Sequence, residues 1–230
     1  MSAIDTLTAR IADAQAATTR AAEMAGREPA AVTIVAVSKM FPRSAVDAAY
    51  EAGLRVFGES RVQETRDKYE LPLPGDAAVR MIGQLQTNKA RQAVGLFSCI
   101  ESVDRLSLVE ALHRAAASAG VVVPVLVQVN IAREPQKSGC PPEDAEALFR
   151  AIREAEHLRC DGLMTIAPLV ADPSDARPTF AALRMLRDVL QETLSVPLPV
   201  LSMGMSNDYE VAIAEGATHI RLGKAIFGNR

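Results

Sequence analysis

Short apolar runs rich in β-branched residues alternate with amphipathic, alanine-rich stretches along most of the chain. This alternation is typical of strand–helix units built around a parallel sheet. Eight strands are predicted, at Val32–Val37, Arg55–Gly58, Arg80–Leu85, Phe97–Val103, Pro124–Asn130, Cys160–Ile166, Val200–Met205 and His219–Gly223. Because eight such units close a barrel, the pattern predicts an α/β fold, a single-domain (β/α)8 TIM-type barrel formed by residues 1–230.

An extra helix is predicted before the first strand, because Ile4, Leu7 and Ile11 have helical spacing and Ser2 with Asp5 forms a capping box. Further helix starts are indicated at Pro42, at Ser60 with Gln63, at Asp104, at Pro141 and Pro142, at Pro178, and at Asn207 with Glu210. A doubly wound open sheet is the alternative fold. It usually has a glycine-rich turn after its first strand, and this chain has Ser38-Lys39-Met40-Phe41-Pro42 there, so the barrel is favoured.

Composition and charge exclude several classes of function. The chain has 28 acidic and 25 basic residues, a net charge of −3 and no basic tract, which argues against a nucleic-acid partner. It has neither a signal-peptide pattern nor an apolar run of the roughly 20 residues that span a bilayer, so we expect a cytoplasmic protein without membrane association. The three cysteines and three histidines are scattered, which argues against disulfides and a metal site.

In a barrel of this type the chemistry lies at the carboxyl ends of the strands. Lys39 directly follows the first strand. It is either an ordinary surface lysine or, if desolvated at the barrel mouth, an amine with a lowered pKa that can attack an aldehyde.

The loops after strands seven and eight form the common phosphate site of such barrels. Ser206 follows the seventh strand and either caps the next helix or, if Asn207 does so, faces an anion. The eighth strand delivers Arg221, Gly223 and Lys224. Arg221 either forms an outward ion pair or points into the mouth, where it needs an acceptor.

Motifs throughout the chain resemble, in the same order, those of the pyridoxal 5′-phosphate (PLP) homeostasis proteins, also called the YggS/PROSC family. These motifs are Ala36-Val-Ser-Lys39, Phe57-Gly-Glu-Ser-Arg-Val-Gln-Glu64, Ile82-Gly-Gln-Leu-Gln-Thr-Asn-Lys89, Ser102-Val-Asp-Arg105, Val127-Gln-Val-Asn130, Lys137-Ser-Gly139, Gly162-Leu-Met164, Leu201-Ser-Met-Gly-Met-Ser206 and Arg221-Leu-Gly-Lys-Ala-Ile-Phe-Gly228. The resemblance covers nearly the whole chain.

The resemblance implies a fold-type III barrel, similar to the N-terminal domain of alanine racemase, that holds PLP as an internal aldimine. By motif, the implied cofactor-binding residues are Lys39 as the Schiff-base lysine; Ser206, Gly223 and the backbone of Lys224 around the phosphate; Ile82 and Met203 lining the cofactor; and Arg221 at the pyridine nitrogen. Two positions depart from the family pattern. Ser60 stands where asparagine is usual, which leaves its contact to the cofactor open. Lys224 stands where threonine or another small residue is usual, and it either contacts the phosphate or points to solvent.

The function implied by the resemblance is a monomeric PLP carrier that stores the cofactor, buffers it and delivers it to PLP-dependent apoenzymes, with no catalytic residue and little turnover. One alternative is an amino-acid racemase using the same site. Racemases of this fold type need a tyrosine from a second domain. The chain stops at Arg230, so we expect no such domain. Tyr209 is then the nearest substitute for that tyrosine. Another alternative is an aldolase-type barrel in which Lys39 reacts with substrate. The loop Arg133–Cys140 has no predicted role.

Overall fold

A computed structural model describes the backbone of residues 3–229 and the side chains of residues 5–229. Eight parallel strands form a closed barrel in which each strand pairs with the next along the chain and the last pairs with the first. The strands are β1 Thr33–Val37, β2 Val56–Glu59, β3 Ala78–Met81, β4 Cys99–Val103, β5 Val123–Gln128, β6 Leu158–Met164, β7 Val200–Met205 and β8 His219–Leu222. The predicted barrel is therefore confirmed.

Helices surround the barrel. They are α1 Ala3–Met24, α2 Arg43–Glu51, α3 Val62–Lys68, α4 Ala90–Val94, α5 Leu106–Ala119, α6 Ala145–Glu154, α7 Arg177–Leu194, α8 Tyr209–Ala214 and α9 Lys224–Phe227. The extra N-terminal helix is α1, which packs against α2, α8 and α9. Its predicted cap at Ser2 lies outside the described residues.

Two predicted strands are displaced along the sequence. β3 begins and ends earlier than predicted because its backbone pairs with β2 from Val56 opposite Ala78 to Glu59 opposite Met81. Ile82 and Leu85 continue the apolar run but lie in the following loop, where they face the barrel mouth. β6 likewise ends at Met164, two residues before the predicted end at Ile166, which also lies at the mouth.

Helix starts were predicted well at prolines and poorly at polar residues. Pro42 directly precedes α2, Pro142 opens a short 3-10 turn before α6, and Pro178 lies in the first turn of α7. The starts predicted at Ser60, Asp104 and Asn207 are each one residue too early, because the residues preceding α3, α5 and α8 are Arg61, Arg105 and Asp208. None of these three makes a side-chain bond that caps its helix.

The hydrophobic core has an outer and an inner part. The large outer cluster fills the layer between strands and helices, and a small cluster of Cys99, Leu126 and Met164 is separate from it. Glu101 is two residues after Cys99 on β4, and its carboxylate bonds to Ser202 on the distant strand β7. Since alternate residues of a strand share a face, the small cluster and Glu101 lie inside the barrel.

Two negative findings concern residues 3–229. Within this range no helix has the length and apolar character required to cross a bilayer. The same residues contain no group of three or more His, Cys, Asp or Glu side chains arranged to hold a metal ion.

Candidate functional site

A cavity of about 1740 Å³ opens at the carboxyl ends of the strands. Seven of the eight site residues predicted from the sequence line it: Lys39, Ser60, Ile82, Ser206, Arg221, Gly223 and Lys224. Parallel strands all end at the same rim, so residues far apart in sequence meet there. The eighth predicted residue, Met203, does not line the cavity but is fully buried in the outer core, whereas Met205 reaches the mouth.

The backbone before Lys39 is held by buried polar groups of β2 and α3. Ser38 Oγ donates a hydrogen bond to Glu59 Oε1 at 2.8 Å. Lys68 Nζ, at the end of α3, donates to the carbonyl oxygen of Ser38 at 2.8 Å and also lies 2.8 Å from Glu59 Oε1. The Glu59 side chain is completely buried and that of Lys68 is only 6% exposed. This ion pair therefore holds the end of β1 against β2 and α3.

The residue after Lys39 is held in an uncommon conformation. Met40 has φ +65°, in the left-handed region that non-glycine residues seldom adopt, and its N–H donates to the Glu64 carboxylate of α3. Such a turn redirects the chain at the rim. Lys39 itself is partly buried and lines the cavity.

Ser206 follows β7, two strands around the barrel from β1, the strand that Lys39 follows. Its Oγ accepts a hydrogen bond from the backbone N–H of Ala225, at the start of α9, at 3.2 Å. It makes no capping bond to α8, so the capping alternative is wrong. The hydroxyl hydrogen of Ser206 remains available for an acceptor in the cavity.

Gly223 leaves its backbone open to the same rim. A Cβ built on Gly223 would meet only Val37, at the ordinary contact distance of 3.5 Å, so the packing of the protein does not itself demand glycine here. The missing side chain instead allows a ligand to approach the backbone. Lys224 follows, is exposed, and lines the cavity.

The turn that presents Ser206 is closed by Asp208. The carboxylate oxygen Oδ1 of Asp208 accepts from the Met205 N–H at 2.6 Å, and the Asp208 N–H donates to the Met205 carbonyl at 3.0 Å. The sequence predicted Asn207 as the cap of α8, but Asn207 is exposed and Asp208 is the residue that precedes the helix. Burial raises the pKa of Asp208, while the Met205 N–H and the charge of Arg221 oppose that shift.

Arg221 points inward and is 4% exposed, so the alternative of an outward ion pair is wrong. Its Nη1 donates to Ser202 Oγ at 2.8 Å, and its Nη2 donates to the carbonyl oxygen of Thr165 at 2.7 Å. Ser202 Oγ in turn donates to Glu101 Oε2 at 2.5 Å. The other carboxylate oxygen of Glu101 pairs with the Arg80 guanidinium.

This inner network is charged throughout. Burial alone would raise the pKa of Glu101, but the positive charges of Arg80 and Arg221 hold it below its ordinary value. Burial lowers the pKa of Arg221, and the negative charges of Glu101 and Asp208 counteract that effect. A guanidinium stays protonated across the physiological range, so Arg221 presents a fixed cation to the cavity.

Ser60 and Ile82 are brought to the rim by a close approach of two loops. A Cβ on Gly83 would lie 2.5 Å from the carbonyl oxygen of Ser60, so only glycine permits this contact. Ser60 is partly exposed at the cavity and does not cap α3. Ser60, whose contact to the cofactor was left open from the sequence, therefore lies in the wall of the cavity.

The loop Arg133–Cys140, which had no predicted role, forms another wall. Asn130 Nδ2 donates to the carbonyl oxygen of Glu134 at 2.9 Å, and Gln128 Nε2 donates to that of Ser138 at 2.9 Å. Lys137 Nζ donates to the carbonyl of Ala167 at 2.9 Å, which joins this loop to the one after β6. The motifs Val127–Asn130 and Lys137–Gly139 are thus two halves of one structural unit.

The groups gathered at the mouth suit an anionic ligand with a reactive carbonyl. The amine of Lys39, the open backbone at Gly223 and the hydroxyl of Ser206 follow the neighbouring strands β1, β8 and β7, and the Arg221 guanidinium is buried inside the barrel. Lys89, Lys137 and Arg61 add positive charge to the lining. Opposite charge in a cleft with low-dielectric walls raises the local concentration of an anion.

Comparisons with known proteins agree with this architecture. Residues 12–230 match the family "Alanine racemase, N-terminal domain". The pyridoxal phosphate homeostasis protein of Aquifex aeolicus is 43% identical over 211 residues, covering 92% of each chain, and that of Pseudomonas aeruginosa is 41% identical over 231 residues, covering 99% of this chain and 97% of the relative.

A solved structure gives the same result. PipY of Synechococcus elongatus, solved with PLP bound, superposes with a TM-score of 0.81 at 39% identity, covering 92% of this chain and 100% of PipY. The resemblance inferred from the motifs is thereby confirmed. The chain belongs to the alanine racemase N-terminal domain family and, within it, to the pyridoxal phosphate homeostasis proteins.

Proposed function

We propose that this protein binds PLP covalently through Lys39 and carries it to PLP-dependent apoenzymes. The observation that carries the proposal is the convergence of Lys39, Ser206 and Arg221, from three separate strand ends, on one cavity. These groups suit three parts of PLP: its aldehyde, its phosphate and its pyridine nitrogen. The related PipY, solved with PLP bound, supports the assignment.

The phosphate would be held by Ser206 with the backbone of Gly223 and Lys224. Hydroxyl and backbone N–H donors form short, strong bonds to charged phosphate oxygens. Ile82 and Ser60 would contact the ring from the β2–β3 side, and Met205, rather than Met203, is the methionine at the mouth. The open position at Gly223 fits a ligand that must approach the main chain closely.

Bound PLP supplies an electron sink for carbanions when its ring nitrogen is protonated. The permanent charge of Arg221 would disfavour that protonation and so weaken this chemistry. In addition, none of the three tyrosines lines the cavity: Tyr50 bonds to Asp76, Tyr69 bonds to Glu59, and Tyr209 begins α8 beside α1. We therefore propose a carrier with little turnover rather than a racemase. We further propose that this carrier is monomeric and single-domain.

The attachment site can be tested directly. The protein is incubated with PLP, reduced with borohydride and digested, and the peptides are mapped by mass spectrometry. The expected result is a pyridoxyl group on Lys39, loss of labelling in Lys39→Ala, and activation of an apoenzyme by the unreduced protein. Labelling of Lys89, Lys137 or Lys224 with Lys39 unmodified would contradict the assignment.

A further inference from the structure

Arg221 shares one buried carboxylate with Arg80. Glu101 is fully buried inside the barrel, and its two oxygens are divided between the Arg80 guanidinium and the Ser202 hydroxyl. Arg80 pairs with Glu101 directly, whereas Arg221 reaches Glu101 only through Ser202. Because buried charges are stable only when paired and hydrogen-bonded, the placement of Arg221 depends on this chain of bonds to Glu101.

The hydroxyl of Ser202 imposes a direction on the hydrogen bonds between Glu101 and Arg221. A serine hydroxyl has a single hydrogen, and at 2.5 Å from the carboxylate it is donated to Glu101. Its lone pairs therefore face Arg221, whose Nη1 donates to them at 2.8 Å. The order Arg221 to Ser202 to Glu101 cannot be reversed, since an arginine has no acceptor.

Two acceptors on two strands fix the plane of the Arg221 guanidinium. Ser202 lies on β7, and the carbonyl of Thr165 directly follows β6. Among residues 5–229, these are the only two acceptors that the structure gives to the five N–H donors of Arg221. Arg221 also lines the cavity, so its remaining N–H groups are available to a ligand.

We propose that Glu101 is a positioning residue that acts through Ser202 to hold Arg221 toward the pyridine nitrogen of the bound cofactor. This inference rests on the proposed function. Neither Glu101 nor Ser202 lines the cavity. They would set the orientation of the Arg221 guanidinium, the group proposed to distinguish a ring nitrogen from a ring carbon.

The experiment compares the affinity of the whole protein for PLP and for 1-deazapyridoxal 5′-phosphate, in which a C–H replaces the ring nitrogen. The wild type should prefer PLP by about tenfold or more, the range expected when one hydrogen bond to a charged group is lost. Glu101→Gln and Ser202→Ala should reduce this preference toward that of Arg221→Ala, with little change in affinity for the deaza analogue. Thermal unfolding is followed for every variant.

Ser102→Ala is the matched control. Ser102 is as buried as Ser202 and neighbours Glu101 on β4, but its hydroxyl has no hydrogen-bond partner among the described residues. Its removal should leave the PLP preference unchanged. A general loosening of the barrel would lower the affinity for both ligands equally and would not change their ratio.

Three outcomes overturn the inference. An unchanged preference in folded Ser202→Ala does so alone, even if Glu101→Gln fails to fold because its arginines lose their counter-charge. Equal affinity of the wild type for both ligands would show that Arg221 makes no bond to the ring nitrogen. Absence of any PLP binding by the wild type overturns the proposed function together with this inference.

Discussion

At the scale of single residues, Ser206 illustrates how one hydroxyl can serve both the protein and its ligand. Its oxygen accepts from the backbone of Ala225, which holds the end of β7 against the start of α9. Its hydrogen is left for an acceptor in the cavity. Under the proposed function, that acceptor is a phosphate oxygen.

Ser206→Ala should weaken PLP binding and spare pyridoxal, which lacks the phosphate. A hydrogen bond to a charged group contributes about 1.5–3 kcal/mol, so the loss of PLP affinity should be about ten- to a hundredfold. Fluorescence titration with both ligands measures the difference. Ser138→Ala, in the loop after β5 that lines the same cavity, is the control and should affect neither ligand selectively. Equal losses for both ligands in Ser206→Ala would indicate a structural role only.

Residues at strand ends could be predicted from the sequence, whereas their buried partners could not. Lys39 and Arg221 stand out because a charge follows or interrupts an apolar run. Glu101, Ser202 and Arg80 also interrupt apolar runs, but which of them meets Arg221 depends on strand register. That register contains shifts along β4 and β7 that no periodicity indicates.

At the scale of elements, the short helix α3 acts as a clamp on the end of β1. Three of its charged contacts converge there: Lys68 with the Ser38 carbonyl, Lys68 with Glu59, and Glu64 with the Met40 N–H. A buried ion pair of this kind contributes little by itself, but removing one partner leaves the other uncompensated.

Lys68→Met should therefore lower the free energy of unfolding by about 3–5 kcal/mol, because Glu59 would remain buried without its cation. Urea denaturation measures this change. Arg66→Met, on the same helix and in an exposed pair with Asp67, is the control and should cost no more than about 1 kcal/mol. The double variant Lys68→Met/Glu59→Gln should recover part of the loss. A loss of unfolding free energy in Lys68→Met no larger than that in Arg66→Met would contradict this role of Lys68.

Element boundaries were predicted wrongly where apolar side chains continue beyond the end of a strand and line the cavity. The predicted third strand included Ile82 and Leu85 because both are apolar, yet both lie beyond β3 at the mouth. A hydrophobicity pattern cannot distinguish a buried strand from a following loop whose apolar side chains line a cavity. The role of the loop after β5 was left open, because its anchors are amide side chains bonded to backbone carbonyls, and no hydrophobicity pattern indicates such bonds.

At the scale of the whole molecule, the proposed carrier function predicts slow turnover of amino acids. Racemisation needs a base on each face of the α-carbon, and Lys39 can serve one face. No tyrosine lines the described cavity to serve the other. A general acid–base group typically contributes about 10²–10⁴-fold to a rate.

The PLP-loaded protein should therefore exchange the α-proton of L-alanine in D₂O far more slowly than an ordinary PLP enzyme. NMR follows the exchange, and chiral chromatography follows inversion. Tyr209→Phe should behave as the wild type, because Tyr209 does not line the cavity. Fast exchange with inversion, lost in Tyr209→Phe, would make this protein a racemase.

The pairing of β1 with β8 joins residues from opposite ends of the sequence, from Thr33 opposite His219 to Ala36 opposite Leu222. Contacts between residues so distant along a chain form late in folding. During synthesis β8 also leaves the ribosome after all the other strands. Lys39 follows β1 and Arg221 lies on β8, so these two residues come together only when the barrel has closed. Under the proposed function, a nascent chain with Lys39 already made would therefore assemble the complete cofactor site only at the last step of folding.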